Sequence, residues 1–266
     1  MDEHEFRRRV DLLHASGYFQ AYTDMARNMA APFFWSTGEG DGASVLANGT
    51  ICYVNTGTRH IGITCDHVYQ QYLKDLERLS DVEAQFGSST VRPEERLIDR
   101  SPEGEMDLAV FDVPEVFVSA SRGNYHHNAL RWPPELPNAG EVVLYGGFPQ
   151  SLREQATGRV DSPFQFFVGR IQDVNASRIV LAPQVEHVYW PGHQGEPINR
   201  SFGGQSGGPV YRVIDADLEN AEAVDRLELV GFIDRMWNAE VVFAKPAIHV
   251  SAEGRVERQQ GSITEA

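Results

Sequence analysis

The sequence predicts an all-β protein of two strand-rich units behind a short helical N-terminal extension, and three observations predict it. From Pro32 onward, seven short runs rich in β-branched and aromatic residues, from Phe33–Ser36 to Leu108–Val113, alternate with turn residues. Such a series builds a closed or sandwiched β unit. A second series starts at Val142 and continues through Phe164–Ile171, Arg178–Pro183, Gly208–Val213, Leu227–Ile233 and Val241–Lys245. Between them Arg131–Gly140 holds three prolines, a glycine and an asparagine without periodicity, and reads as a linker. At the start of the chain Phe6, Val10, Leu13, Tyr18, Tyr22 and Met25 recur at steps of three to five residues, the spacing of one or two short amphipathic helices. The expected divisions are an extension over 1–31, a first β unit over 32–130, a second over 131–250 and a flexible polar tail over 251–266.

Composition narrows the function classes. Of 266 residues 41% are apolar and 23% charged, with 24 Gly and 14 Pro scattered, as in a turn-rich soluble domain. No run approaches the ~20 apolar residues that span a bilayer, and the acidic start has no signal-peptide pattern, so no membrane partner is expected. A formal charge of −15 argues against nucleic acid, whose binding needs clustered Lys and Arg to replace counterions. The two cysteines, Cys52 and Cys65, lie in apolar segments and read as buried, reduced thiols, with a cytoplasmic location expected.

Three segments carry chemistry. In Gly203-Gly204-Gln205-Ser206-Gly207-Gly208-Pro209 the glycines allow positive φ and close approach, so the Ser206 hydroxyl can project while neighbouring amides turn toward a substrate oxygen. Thr64-Cys65-Asp66-His67 ends an apolar run on a histidine, and a serine hydroxyl needs such a base to attack an amide. Met106-Asp107-Leu108-Ala109-Val110 opens an apolar strand with a carboxylate, which suits a group that orients an imidazole.

Together, in the order His67, Asp107, Ser206, these segments resemble the chymotrypsin/trypsin family of serine peptidases, in particular bacterial-type trypsin-like domains. The order differs from that of subtilisin-like and α/β-hydrolase triads. The resemblance spans roughly residues 33 to 248. It implies two six-stranded antiparallel Greek-key barrels packed face to face, the first supplying His67 and Asp107 and the second Ser206. It implies a serine endopeptidase with no metal or organic cofactor, whose oxyanion hole is formed by the amides of Gly204 and Ser206. Arg200, Ser201, Gly231, Ile233 and Asp234 fall where the family binds substrate; Arg200 is either in the pocket, where it would select an acidic side chain, or a surface arginine on a flexible loop.

Departures from the family pattern carry their own expectations. Gln205 stands where zymogen-activated members have an aspartate, so activation by N-terminal cleavage is not expected. Cys65 precedes His67, so the family's histidine-loop disulfide is not reproduced. Asp234 stands where many members have a serine near the triad carboxylate; a second acid there either faces solvent or signals a one-residue misalignment. His126-His127 and Glu186, His187 and His193 match no zinc spacing and read as loop residues. The partner expected is a protein or peptide substrate, with a possible activating partner docking on the N-terminal extension. The competing readings are a latent double-barrel binding module and a processing protease dedicated to a single partner.

Overall fold

The computed structural model describes residues 3–38, 44–120, 126–127, 132–156, 159–189, 203–214, 227–237 and 241–258. Helices α1 (Glu3–Ala15) and α2 (Tyr18–Asn28) come first. The first sheet then forms from β1 (Ala30–Thr37), β2 (Ser44–Asn55), β3 (His60–Thr64), β4 (Val82–Phe86), β5 (Ser89–Val91), β6 (Leu97–Ser101) and β7 (Leu108–Asp112), interrupted by α3 (Asp66–Arg78) and α4 (Pro93–Arg96). Helix α5 (Glu115–Ala120) and the short β8 (His126–His127) follow. The second unit comprises β9 (Val142–Gly147), the ribbon β10 (Glu154–Ala156) and β11 (Arg159–Asp161), then β12 (Gln165–Asn175), β13 (Arg178–Tyr189), β14 (Pro209–Val213), β15 (Leu227–Trp237) and β16 (Val241–Pro246).

The second sheet closes as an antiparallel six-stranded barrel in the order β12-β13-β16-β15-β14-β9. The first curls as β5-β4-β1-β2-β3-β7-β6, with β8 added parallel to β2. Its curl is a half-barrel rather than a six-stranded ring, because the chain between β5 and β6 forms the helical turn α4, opened by Pro93, instead of continuing the ladder. Two runs read separately in the sequence, Ser44–Ala47 and Ile51–Val54, are one strand through Asn48-Gly49. Gly49 is needed there because a Cβ would sit 2.5 Å from the Val68 side chain of α3.

Side chains alternate between two destinations along each strand. Ile51 and Tyr53 fill the first sheet's own interior with Phe33, Trp35, Tyr72, Phe86 and Phe111, while Cys52 and Val54 face a layer shared between the units. In β9, Val143 and Tyr145 fill the closed barrel, and Val142 and Leu144 face the same shared layer. The apolar stripes of α1 and α2 enter that layer too, through Phe6, Val10, Leu13, Phe19, Tyr22 and Ala26. Burial of each large side chain contributes about 1.5 to 3 kcal/mol, so the extension is part of the core, and only its polar face is left for a partner. Residues 251–258 also depart from the expected loose tail: Val250 bridges Val256, whose N–H donates to Asp99 on β6.

Candidate functional site

The Gly203–Pro209 turn is held from both sides. The Thr50 N–H on β2 donates to the Ser206 carbonyl at 2.8 Å, and the Thr50 hydroxyl donates to the Gly204 carbonyl at 2.9 Å. On the other side the Gly207 N–H donates to Ile233 and the Ile233 N–H to Gly208, both at 2.7 Å, fastening the turn to β15. Gly204 has φ 93° and Gly207 φ 87°, so the turn needs glycine at both. Among the described residues the N–H groups of Gly204 and Ser206 donate to no other group.

Gln205, between them, points its fully buried side chain inward, and its Nε2 donates to Gln165 Oε1 at 2.9 Å. A neutral amide pair thus anchors the turn. Gln165 had no sequence signal, because its partner lies 40 residues away on another element.

His67 is the second residue of α3, which begins directly after β3. Because β7 pairs with β3 through Thr64↔Ala109, Asp107 at the mouth of β7 lies beside it. Asp107 Oδ2 bonds His67 Nδ1 at 2.7 Å, and Oδ1 accepts the His67 backbone N–H at 2.9 Å. The Asp107 carbonyl in turn accepts the Asp66 N–H at 3.1 Å. Asp107 adopts φ 51°, a left-handed conformation in which Asp is one of the few tolerated residues. Burial disfavours the imidazolium, yet the hydrogen bond and charge of Asp107, joined by the charges of Asp234 and Glu103, leave the His67 pKa above its ordinary value. Burial would raise the Asp107 pKa, but its bonds to His67 keep this carboxyl below the usual range.

Asp234 does not face solvent. Its side chain is 6% exposed and sits among Asp107, Arg235 and Lys245, with Lys245 Nζ 3.7 Å from Oδ2 and Arg235 Nε 3.2 Å away. The acid is tolerated inward because these cations offset repulsion from Asp107, while burial and the neighbouring carboxylate still push its pKa up. Lys245 is tied in turn to the Glu105 carbonyl at 3.3 Å.

Asp234→Asn removes a charge that favours protonated His67. If His67 serves as a base toward Ser206, the acid limb of the rate profile is expected above the ordinary imidazole pKa and should move to lower pH in this variant. Reaction rate with a serine-directed probe, measured against pH, reads the shift; a limb that stays in place would show that Asp234 carries no charge toward His67.

His67, Ser206, Gly204, Ile233 and Asp234 all line one open cleft of about 770 Å³, together with Trp35, Asn48, Gln71, Lys74, Glu103, Arg235 and Met236. Gly231, expected in the substrate site, is instead enclosed in the barrel wall. It pairs with Val210 on one side and Pro246 on the other, and only beyond the Pro209↔Phe232 pair does β15 lose its β14 neighbour. Arg200, Ser201 and His193 lie outside the described residues, as do the side chains of His126, His127, Glu186 and His187. The wall residues from α3 were not read in the sequence, although Val68, Tyr72 and Leu76 repeat at helical spacing after His67.

The Ser206 hydroxyl donates to the Asp234 carbonyl at 3.0 Å, and no hydrogen bond joins it to His67. Cys65, His67 and Asp107 bring three metal-ligating atoms within 4.8 Å. They fit a metal poorly. The buried Cys65 thiol is pushed well above its ordinary pKa and donates to the Ile233 carbonyl at 3.1 Å, and both Asp107 oxygens are engaged by His67. Both cysteines are free and buried.

No protein family and no curated protein matches the sequence. Among solved structures, the chain is similar to the serine protease domain of the Sesbania mosaic virus polyprotein, at 12% identity and a TM-score of 0.43 over 84% of this chain and 96% of that one. A structure described for the coupled folding and binding of the Sesbania mosaic virus VPg protein matches with the same identity and score, over 85% and 95%. Similarity this distant leaves function to be judged from the side chains themselves.

Proposed function

We propose that this chain is a serine endopeptidase with His67, Asp107 and Ser206 as its triad. The observation that carries the proposal is the His67–Asp107 pair, bonded at 2.7 Å through Nδ1, with the His67 imidazole in one cleft with Ser206 and near two amides uncommitted among the described residues. Rotation of the Ser206 side chain turns Oγ from the Asp234 carbonyl toward His67 Nε2. Oγ then attacks the substrate carbonyl as Nε2 takes its proton, and Asp107 stabilises the resulting imidazolium. The Gly204 and Ser206 amides receive the oxyanion, each worth about 2.7 to 4 kcal/mol to the transition state. Nε2 passes the proton to the leaving amine, and water attacks the acyl-enzyme with His67 again as base. The buried Gln165–Gln205 pair supports a site formed without proteolytic activation.

One observation favours a second reading, a latent site in a peptide-binding module: the Ser206 hydroxyl is bonded to Asp234 rather than to His67. A fluorophosphonate probe separates the two. Labelling of the wild type that is lost in Ser206→Ala and reduced by several orders of magnitude in His67→Ala is the expected result. A folded wild type that takes up no label would leave the binding module as the better description.

A further inference from the structure

We propose that the cleft binds an acidic stretch of the substrate, the residues that follow the cut bond, through Lys74 on α3 and through Arg153 behind Asn48. This rests on the endopeptidase reading, which fixes which product lies where. The leaving amine must receive its proton from His67, so the chain beyond the cut leaves over His67 and along α3. The preceding residues have a different seat, the edge of β15 from Asp234 to Met236, beyond its pairing with β14 and the turn's bonds to Ile233, which also lines the cleft.

Along α3, His67, Gln71 and Lys74 fall at steps of four and three residues and share one face, and all three line the cleft. Gln71 is tied to Asp75 at 3.2 Å. Lys74 makes no ion pair among the described residues. Asn48 on β2 also lines the cleft, and behind it Arg153 donates to its Oδ1 at 3.1 Å. Arg153 is partly buried, has no carboxylate partner among the described residues, and is held by burial below the ordinary guanidinium pKa. A partly desolvated cation without a counter-charge is costly unless a ligand supplies one.

Three acids at or beside the cleft have cations or donors of their own. Glu103 pairs with Arg235 at 3.5 Å, Asp75 serves Arg78 and Trp35, and Asp234 is enclosed beside Lys245. In a chain with formal charge −15, Lys74 in the cleft and Arg153 behind Asn48, neither with a carboxylate partner among the described residues, form a local attraction against a repelling background. Aspartate and glutamate side chains are the ligands that match them.

The experiment is a digest of a peptide library by the wild type, by Lys74→Glu and by the double variant Lys74→Gln, Arg153→Gln, with cut sites read by mass spectrometry. Alongside it, fluorescence anisotropy follows binding of a Glu-rich and a matched Gln-rich peptide to Ser206→Ala at low and high salt. The expected result is enrichment of Asp and Glu in the three positions after the cut by about threefold per cation, lost in the double variant and reversed in Lys74→Glu. Binding of the Glu-rich peptide should be selective at low salt and lose that selectivity at high salt.

No enrichment in an enzyme that cuts, or enrichment that persists in the double variant, would overturn the proposal. If the wild type takes up no serine probe, the endopeptidase reading fails separately. Anisotropy then still decides the surface: selective binding that Lys74→Glu abolishes supports it, and equal binding of the two peptides overturns it.

Discussion

Asp107→Asn is expected to lower turnover by about 10⁴ while leaving the fold in place. Asparagine accepts the left-handed backbone at φ 51° and can still receive the His67 backbone N–H through its amide oxygen. Its NH₂ group, however, would face Nδ1 in place of an acceptor. His67 would then present Nδ1 as a lone pair and carry its hydrogen on Nε2, the atom proposed to take the proton from Ser206. The imidazolium would also lose the adjacent charge that holds its pKa up. Initial rates of probe labelling or peptide hydrolysis, with a thermal melt of the same sample, check this. A loss below about tenfold with an unchanged melt would show that the His67–Asp107 bond does not prepare a base.

Gly204→Ala is expected to reduce turnover by about 10² to 10³, the cost of one oxyanion donor. An added Cβ would stand 2.4 Å from Asn48 Nδ2, 2.6 Å from the Phe148 carbonyl and 2.8 Å from the Gln150 nitrogen. Two of these three neighbours are backbone, so they cannot swing aside, and φ 93° is strained for any side chain. The turn must shift, and the Gly204 amide moves with it. Because Asn48 also receives Arg153, the variant disturbs the wall behind the site as well. kcat measured with a fixed peptide reports the loss; a variant with kcat within threefold of wild type would exclude the Gly204 amide as an oxyanion donor.

The segments of the proposed triad could be picked out because each is written in adjacent residues: glycines around Ser206, an apolar run ending at His67, a strand opening on Asp107. Helix α3 was missed because the run before His67 looks like a strand that turns. Its helical spacing starts only at Val68 and is overlaid by polar residues that line the cleft. Gly231 was misplaced for a related reason. Counting along β15 cannot show that β14 pairs with it as far as Phe232, and that pairing decides where a substrate can reach the edge.

Sequence alone determined which groups are available for chemistry, the two β-rich series that carry them and the apolar stripe of the N-terminal helices. These follow from side-chain identity and from periods of two or about four residues, which are local properties of the chain. Only the tertiary structure decided where Asp234 points, what anchors Gln205 and which cations lie at or behind the cleft without a carboxylate. Asp234 turns inward because Lys245 and Arg235 meet it there and Asp107 approaches from the other barrel. Gln205 is held by Gln165, and among the described residues Lys74 and Arg153 meet no carboxylate. Such charges and hydrogen bonds act over a few ångströms in space, between residues that the chain itself keeps far apart.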